Sequence, residues 1–346
     1  MPDSKNHKLL NKLIYVSGSP RGGSTVFFDL FAKNKSLHKI PGMTHFYNNI
    51  VRHYKVISPR LLKLIYKIPL WHNVEAISEN IEVSNFINSS LKHKKLDDLY
   101  KGYVLSSLVY SGDYKNISKY KYWVDKTNDW RGLFWVKKNF PLAHFLFVIR
   151  DPRSVCYSIV NREISGKKNK IQKKMQVKSY IKAAVTLNHL YSRFVFFGSI
   201  NYKSSHFTCY EDVVNNGTGV LIDLYKKILG ETLTEEEVST YLKDAKGASS
   251  HSLEKGRYHI KGGINNSALN RWSDLDNGLV SVIEIINSEV MRHFDYKATT
   301  NVSLSNYLVV IKNIDLRTAI VFLISKVFFI LSKFNSILMS SNGKKK

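Results

Sequence analysis

Between residues 13 and 30 the chain reads LIYVSGSPRGGSTVFFDL: an apolar run, a glycine-rich turn, then a helical pattern opened by Ser24 and Thr25. Backbone N–H groups of such a turn converge on an anion, and the helix N-terminus adds the positive end of its dipole. Gly18 and Gly23 have the outer spacing of a nucleotide-binding phosphate loop. Ser24, however, stands where that loop's lysine belongs, and the basic residue has moved inside the turn, to Arg21. A nucleoside triphosphatase without that lysine lacks its main charge on the β- and γ-phosphates. A second segment, HFLFVIRDPRSVCYSIV from His144 to Val160, runs from a buried-type strand into Arg150, with Pro152 placed for a first helical turn. Ser158 follows Arg150 by eight residues, about two helical turns. In a parallel sheet Arg150 emerges at the same carboxyl edge as the glycine-rich turn, where such sheets bind ligands. Arg150 and Ser158 are therefore expected to hold a second phosphate, apart from the one in the turn.

Positioning these groups requires strands alternating with helices. β-Branched and aromatic runs mark strands at Leu13–Ser17, His38–Ile40, Tyr122–Asp125, His144–Ile149 and His206–Tyr210. Helical patterns follow at Ser24–Lys33, Trp130–Lys138, Pro152–Glu163, Val177–Phe197, Gly217–Leu229, Thr234–Lys243 and Gly278–Phe294. That alternation implies an α/β fold with a parallel sheet. Phe46–Tyr120 is mostly helical in pattern and suits an acceptor-side lid, whereas Gly247–Leu275, rich in Ser, Gly and Asn, reads as a long loop. The expected division is a domain over 1–298 and a tail over 299–346.

Lys and Arg outnumber Asp and Glu by 52 to 27, a formal net charge of +25, so an anionic partner is the first to seek. Twenty Tyr, eighteen Phe and seven Pro exclude a disordered polycation. Cys156 and Cys209 lack CxxC spacing, which excludes a disulfide framework or a cysteine zinc site and suits a reducing compartment. The stretch Glu163–Lys182 carries seven lysines against one acid, either a rim for an anionic acceptor or a solvated loop.

Met1–Lys12 is short and polar, without the pattern of a signal peptide. From Asp315 to Met339 the chain is apolar but interrupted by Arg317, Lys326 and Lys333, and it ends in Lys344–Lys346. A lysine near the middle of a span is expensive in hydrocarbon, which disfavours a transmembrane helix. With spacings of nine and seven the three basic residues are expected roughly on one helix face. The tail is then either an amphipathic helix against anionic headgroups or a helix docked on the protein's own core. The expected location is cytoplasmic, with peripheral contact to the inner face of a membrane.

The two anion-binding segments resemble those of sulfotransferases that use 3′-phosphoadenosine 5′-phosphosulfate (PAPS). Pro20-Arg21-Gly22-Gly23-Ser24-Thr25 is similar to the family's P-[KR]-x-G-[ST]-[ST] loop, and Arg150-Asp151-Pro152-Arg153 with Ser158 to its R-[DN]-P-[RK]…S signature. Tyr122–Thr127 resembles the strand ending in Lys-Thr, and Tyr210-Glu211-Asp212 the turn near the adenine pocket. Lys261-Gly262-Gly263 with the later Trp272 resembles the loop that closes over the 3′-phosphate, at a longer interval. The resemblance covers roughly Leu13–Asp276 and implies a P-loop-type three-layer fold, a central parallel sheet flanked by helices, plus the C-terminal amphipathic helix.

It further implies that Arg21 and Lys126 attend the transferring sulfuryl group, that Gly22–Thr25 hold the 5′-phosphate, and that Arg150 and Ser158 bind the 3′-phosphate. No metal is implied, and no cluster of His and carboxylates with metal-ligand spacing occurs. The general base departs from the family. Asn128 stands where cytosolic members carry His, and the segment Pro41–Tyr47 lacks the Glu of carbohydrate-type members, which leaves His45 as candidate base and Asp125 and Asp129 as fallbacks. The implied acceptor is a hydroxyl or amine of a carbohydrate or glycolipid. Two other classes remain: a P-loop kinase using Asp151 for magnesium, and a basic nucleic-acid or membrane-binding module. No recognition-helix or RNA-binding signature supports nucleic acid.

Overall fold

The computed structural model describes residues 9–40, 46–52, 96–165, 173–243 and 269–343. Strands β1 (Leu13–Gly18), β2 (Leu37–Lys39), β3 (Tyr122–Thr127), β4 (His144–Ile149) and β5 (Ser205–Cys209) form one parallel sheet in the order β2-β3-β1-β4-β5. The helices are α1 (Ser24–Phe31), α2 (Leu96–Tyr110), α3 (Leu133–Asn139), α4 (Pro152–Ser165), α5 (Lys173–Ile200), α6 (Tyr210–Leu229) and α7 (Glu235–Lys243). They continue as α8 (Asn277–Ile286), α9 (Ser288–His293), α10 (Leu304–Asn313) and α11 (Leu316–Gly343).

Both faces of the sheet are covered, so β1 and β4 read as continuous apolar runs rather than alternating ones. Alternation still sorts their side chains. Ile14, Val16, Val124, Leu146 and Val148 pack with Phe27, Phe31, Leu221 and Tyr225 of α1 and α6. Leu13, Tyr15, Trp123, Phe145 and Phe147 face Tyr100, Tyr191, Phe194 and Ile283 of α2, α5 and α8. The expected three-layer α/β architecture is the one found. Because the chain winds to β3 on one side of β1 and to β4 on the other, a crevice opens at the carboxyl end of β1. Register brings Ser17 beside Thr127, Gly18 beside Val148 and Ile149 beside Cys209, so the strand ends share one edge.

Several boundaries differ from expectation. α6 begins at Tyr210 rather than Gly217, because Asn216 (φ −144°, ψ 54°) interrupts a helix already under way. The Gly278–Phe294 pattern is two helices parted at the buried Asn287, whose side-chain amide donates to the carbonyl of Ile283 (3.1 Å). In α11, Ser325, Phe329 and Ser332 are buried on the domain and Lys326 pairs with Glu289 (3.2 Å). The basic residues do not share a face: nine residues are two and a half turns, so Arg317 and Lys326 lie on opposite flanks.

Candidate anion and sulfuryl site

β1 ends where the chain must reverse tightly into α1. Gly22 donates its N–H to the carbonyl of Ser19 (3.0 Å), and Arg21 (φ 65°) and Gly23 (φ 81°) adopt left-handed backbone. A Cβ on Gly23 would fall 2.1 Å from the Tyr210 ring, and one on Gly22 would fall 2.3 Å from Ser19 Oγ. The turn therefore packs so closely against Ser19 and Tyr210 that neither glycine position admits a side chain. Ser24, the first residue of α1, donates from Oγ to Asn128 Oδ1 (3.2 Å) and fastens the turn to the end of β3.

Arg150 leaves β4 buried and donates from Nη1 to the carbonyl of Arg21 (3.0 Å), with its guanidinium 4.8 Å above the centre of the Tyr210 ring. A residue the sequence did not single out fixes this arrangement. Tyr191, fully buried in α5, places its hydroxyl 3.1 Å from Ser19 Oγ, 3.1 Å from the Arg150 amide and 3.2 Å from the Arg150 carbonyl. One phenol thus ties both anion-binding segments together. In sequence it is one aromatic among many in a helix, with no local signal of its task.

Arg21 donates from Nε to Ser158 Oγ (3.0 Å). The expected separation, Arg21 on the near phosphate and Ser158 on the far one, is thus closed to a single hydrogen bond. Burial, followed by the neighbouring charges of Arg162, Arg150 and Arg271, pushes the Arg21 guanidinium below its ordinary range. Three further arginines thus lie near enough to act on Arg21, and such a concentration of positive charge favours an anion at the turn. Arg162 and Arg271 were missed in the sequence because each lies far along the chain from the motif it joins.

Lys126 is fully buried on the α1 face of β3 and is pushed down to about 8 by burial, with Asp29 and Asp125 partly opposing the shift. Asp125, of opposite strand parity, faces α2: it accepts a hydrogen bond from the Tyr100 hydroxyl and one from the Lys126 amide (2.7 Å). Asp129 caps the loop by accepting from the Arg131 amide (3.0 Å) and sits against its guanidinium (3.3 Å). Neither fallback carboxylate is a bare base in this arrangement. His45, Lys261, Gly262 and Gly263 lie outside the described residues.

Around this core is a buried ionic frame. Arg153 holds both oxygens of Asp151 (2.7 and 3.0 Å) and reaches Glu284 (2.8 Å), while Trp272 lies 4.0 Å from its guanidinium. Glu284 also accepts from the amides of Thr299 (2.8 Å) and Thr300 (3.1 Å), which joins residues 299–300 to the domain. Glu211 accepts from the Asp151 amide (3.0 Å) and the Tyr296 hydroxyl (2.6 Å), and burial raises its carboxyl. Glu211 therefore locks the two strand ends together. Among the described residues no group of His, Cys, Asp and Glu is arranged to hold a metal ion.

A model described as the sulfotransferase family matches residues 14–235. Among solved structures, the sulfotransferase domain of the Synechococcus PCC 7002 olefin synthase is 14% identical, covering 88% of this chain and 95% of that one, with a TM-score of 0.48. A sulfotransferase from Mycobacterium avium is 13% identical, with coverages of 83% and 78% and a TM-score of 0.41. Retinol dehydratase, solved with androsterone and the inactive cofactor PAP, is 13% identical, with coverages of 82% and 81% and a TM-score of 0.41. No curated protein sequence matches the chain.

Proposed function

Because the chain belongs to the sulfotransferase family, we propose that it moves a sulfuryl group from PAPS to a hydroxyl or amine of a carbohydrate or glycolipid acceptor. The observation that carries this reading is the concentration of positive charge about the β1–α1 turn, where Arg150 donates to the carbonyl of Arg21 and the charges of Arg150, Arg162 and Arg271 all act on the Arg21 guanidinium. The donor is a highly anionic nucleotide, and its mixed anhydride supplies the activated sulfuryl group. The protein's contribution is charge and alignment, as in phosphoryl transfer.

The amides of Gly22–Thr25 at the start of α1 bind the 5′-phosphate, with the hydroxyls of Ser24 and Thr25 as further donors. Arg150 and Ser158 bind the 3′-phosphate, and Arg21, one hydrogen bond from Ser158, is the cation that turns from the serine to the transferring end. Lys126, dry and with a lowered pKa, provides the second cation there. Tyr210, beneath the Arg150 guanidinium and against Gly23, closes the nucleotide side, and Lys261 and Gly262 are assigned to the loop above the 3′-phosphate.

His45 takes the acceptor's proton in this reading. Phe46, which follows it in sequence, stacks on Tyr100 at 4.4 Å, and Tyr100 bonds to Asp125, which brings Phe46 close to β3. A kinase reading is disfavoured by Asp151, whose oxygens are both engaged by Arg153 rather than open to magnesium. Incubating the protein with radiolabelled PAPS and a panel of sugars, amino sugars and glycolipids tests the proposal. Label should pass to an acceptor without added magnesium, and His45→Ala should abolish transfer while sparing nucleotide binding. Full transfer by His45→Ala would remove the base assignment alone.

A further inference from the structure

We propose that α11 is a membrane-docking element that lies flat in the interface of an anionic bilayer, its outer stripe among the acyl chains and its inner face still packed on α5. The helix has 28 residues, about 42 Å of length. Its two sides are sorted. Ser325, Phe329 and Ser332 are buried, and Ser325 Oγ lies 3.2 Å from His189 Nδ1 of α5. Phe328 stands edge-on to Phe196 at 5.1 Å and packs on the Arg193 guanidinium at 3.6 Å. On the opposite side Ile320, Leu323, Val327, Ile330, Leu331 and Phe334 form an unbroken stripe at helical spacing, with Leu323 and Ile330 each 63% exposed. Such a contiguous aliphatic surface exceeds the scattered apolar exposure of an ordinary soluble face.

Charge identifies the occupant. From residue 316 to the end the sequence holds no Asp or Glu; Arg317 and Lys333 flank the stripe, Lys326 on the same flank as Lys333 is held by Glu289, and residues 344–346 are all lysine. Basic residues beside an apolar stripe place their stems along lipid and their heads at the phosphates. A second copy of the helix would instead bring like charges together. Beside the carboxyl-terminal part of the stripe is a cavity of about 720 Å³ whose lining includes Phe329, Arg292, His293 and Lys333 together with Glu289, a largely apolar wall with a net basic rim. The helix is long and apolar enough to cross a membrane. Spanning would strip it from α5, expose Ser325 and Ser332 to lipid, and break the Lys326–Glu289 pair.

Flotation of the full chain with vesicles tests this without donor or acceptor, so its outcome is independent of the sulfuryl-transfer reading. The protein should float with phosphatidylcholine vesicles containing phosphatidylglycerol and much less with phosphatidylcholine alone. Replacing Leu323, Val327 and Ile330 together by Glu should cut the bound fraction more than about tenfold, because three exposed side chains lose their acyl environment. The melting temperature and elution volume of that variant should stay unchanged. Absence of flotation by the natural chain, or equal flotation by the variant, would overturn the proposal. So would a dimer that the variant converts to a monomer with flotation unaltered, since the stripe would then belong to a second copy. Joining Ser325→Cys to His189→Cys through a short thiol-reactive bridge should leave flotation intact; its loss would show that the helix has to leave α5 and span.

Discussion

Arg150 does two things that a single substitution can separate. Its Nη1 donates to the carbonyl of Arg21 at 3.0 Å, holding a residue at φ 65°, and in the proposed function its guanidinium charge also binds the 3′-phosphate. Truncation in Arg150→Ala removes the bond to a neutral carbonyl, worth about 1 kcal/mol to any ligand that needs the turn intact. It also removes a charge-assisted contact worth about 1.5–3 kcal/mol, and only a ligand with a 3′-phosphate makes that contact. Calorimetric affinity for adenosine 3′,5′-bisphosphate should therefore fall by about 2.5–4 kcal/mol, roughly 70- to 900-fold, whereas 5′-AMP should lose only about fivefold. Arg150→Lys, which keeps the charge and loses the fork, should fall between. Equal losses for the two nucleotides would refute the reasoning, since Arg150 would then act through the turn alone.

Gly23→Ala places a methyl 2.1 Å from the Tyr210 ring at φ 81°; left-handed backbone alone costs about 1–2 kcal/mol, so the melting temperature should drop and nucleotide affinity with it. Arg153→Met leaves Asp151 and Glu284 as buried carboxylates without their partner and should lower the urea unfolding free energy by about 3–5 kcal/mol. Lys126 sits at about 8, below the ordinary 10.5, so its ammonium is lost as pH rises through about 8 in the free protein. Affinity for adenosine 3′,5′-bisphosphate should accordingly weaken above that pH, by up to about tenfold per unit, and binding there should take up a proton; Lys126→Met should abolish both effects. The linkage for stability has the opposite sign: between about 8 and 10.5 the unfolded chain holds the extra proton, so this group's contribution to stability rises with pH.

What was legible in the sequence is what local pattern determines. Five strands, the turn between β1 and α1, and Pro152 opening α4 follow from apolar runs, glycine and proline, each acting within a few residues. The start of α6 was obscured because Asn215-Asn216-Gly217 looks like a loop, yet Asn216 is a break inside a longer helix. Tyr191, Arg162, Arg271 and Glu284 were invisible because their tasks arise from contacts across tens to more than a hundred residues, between types that are common in any helix or loop. The placement of Arg317, Lys326 and Lys333 was misjudged on one face because nine residues make a half-integral number of turns. That error matters, since basic residues on both flanks of an apolar stripe fit a helix lying in an interface better than a single basic face does.

The β1–α1 turn with its surrounding arginines is expected to accept a nucleotide bearing both 5′- and 3′-phosphates. Thermal unfolding in the presence of chelator, with adenosine 3′,5′-bisphosphate or with ATP, tests it most directly. A concentration-dependent rise in melting temperature with adenosine 3′,5′-bisphosphate, needing no magnesium and not matched by ATP, is the expected result. No shift with adenosine 3′,5′-bisphosphate, or a larger shift with ATP that requires magnesium, would contradict it.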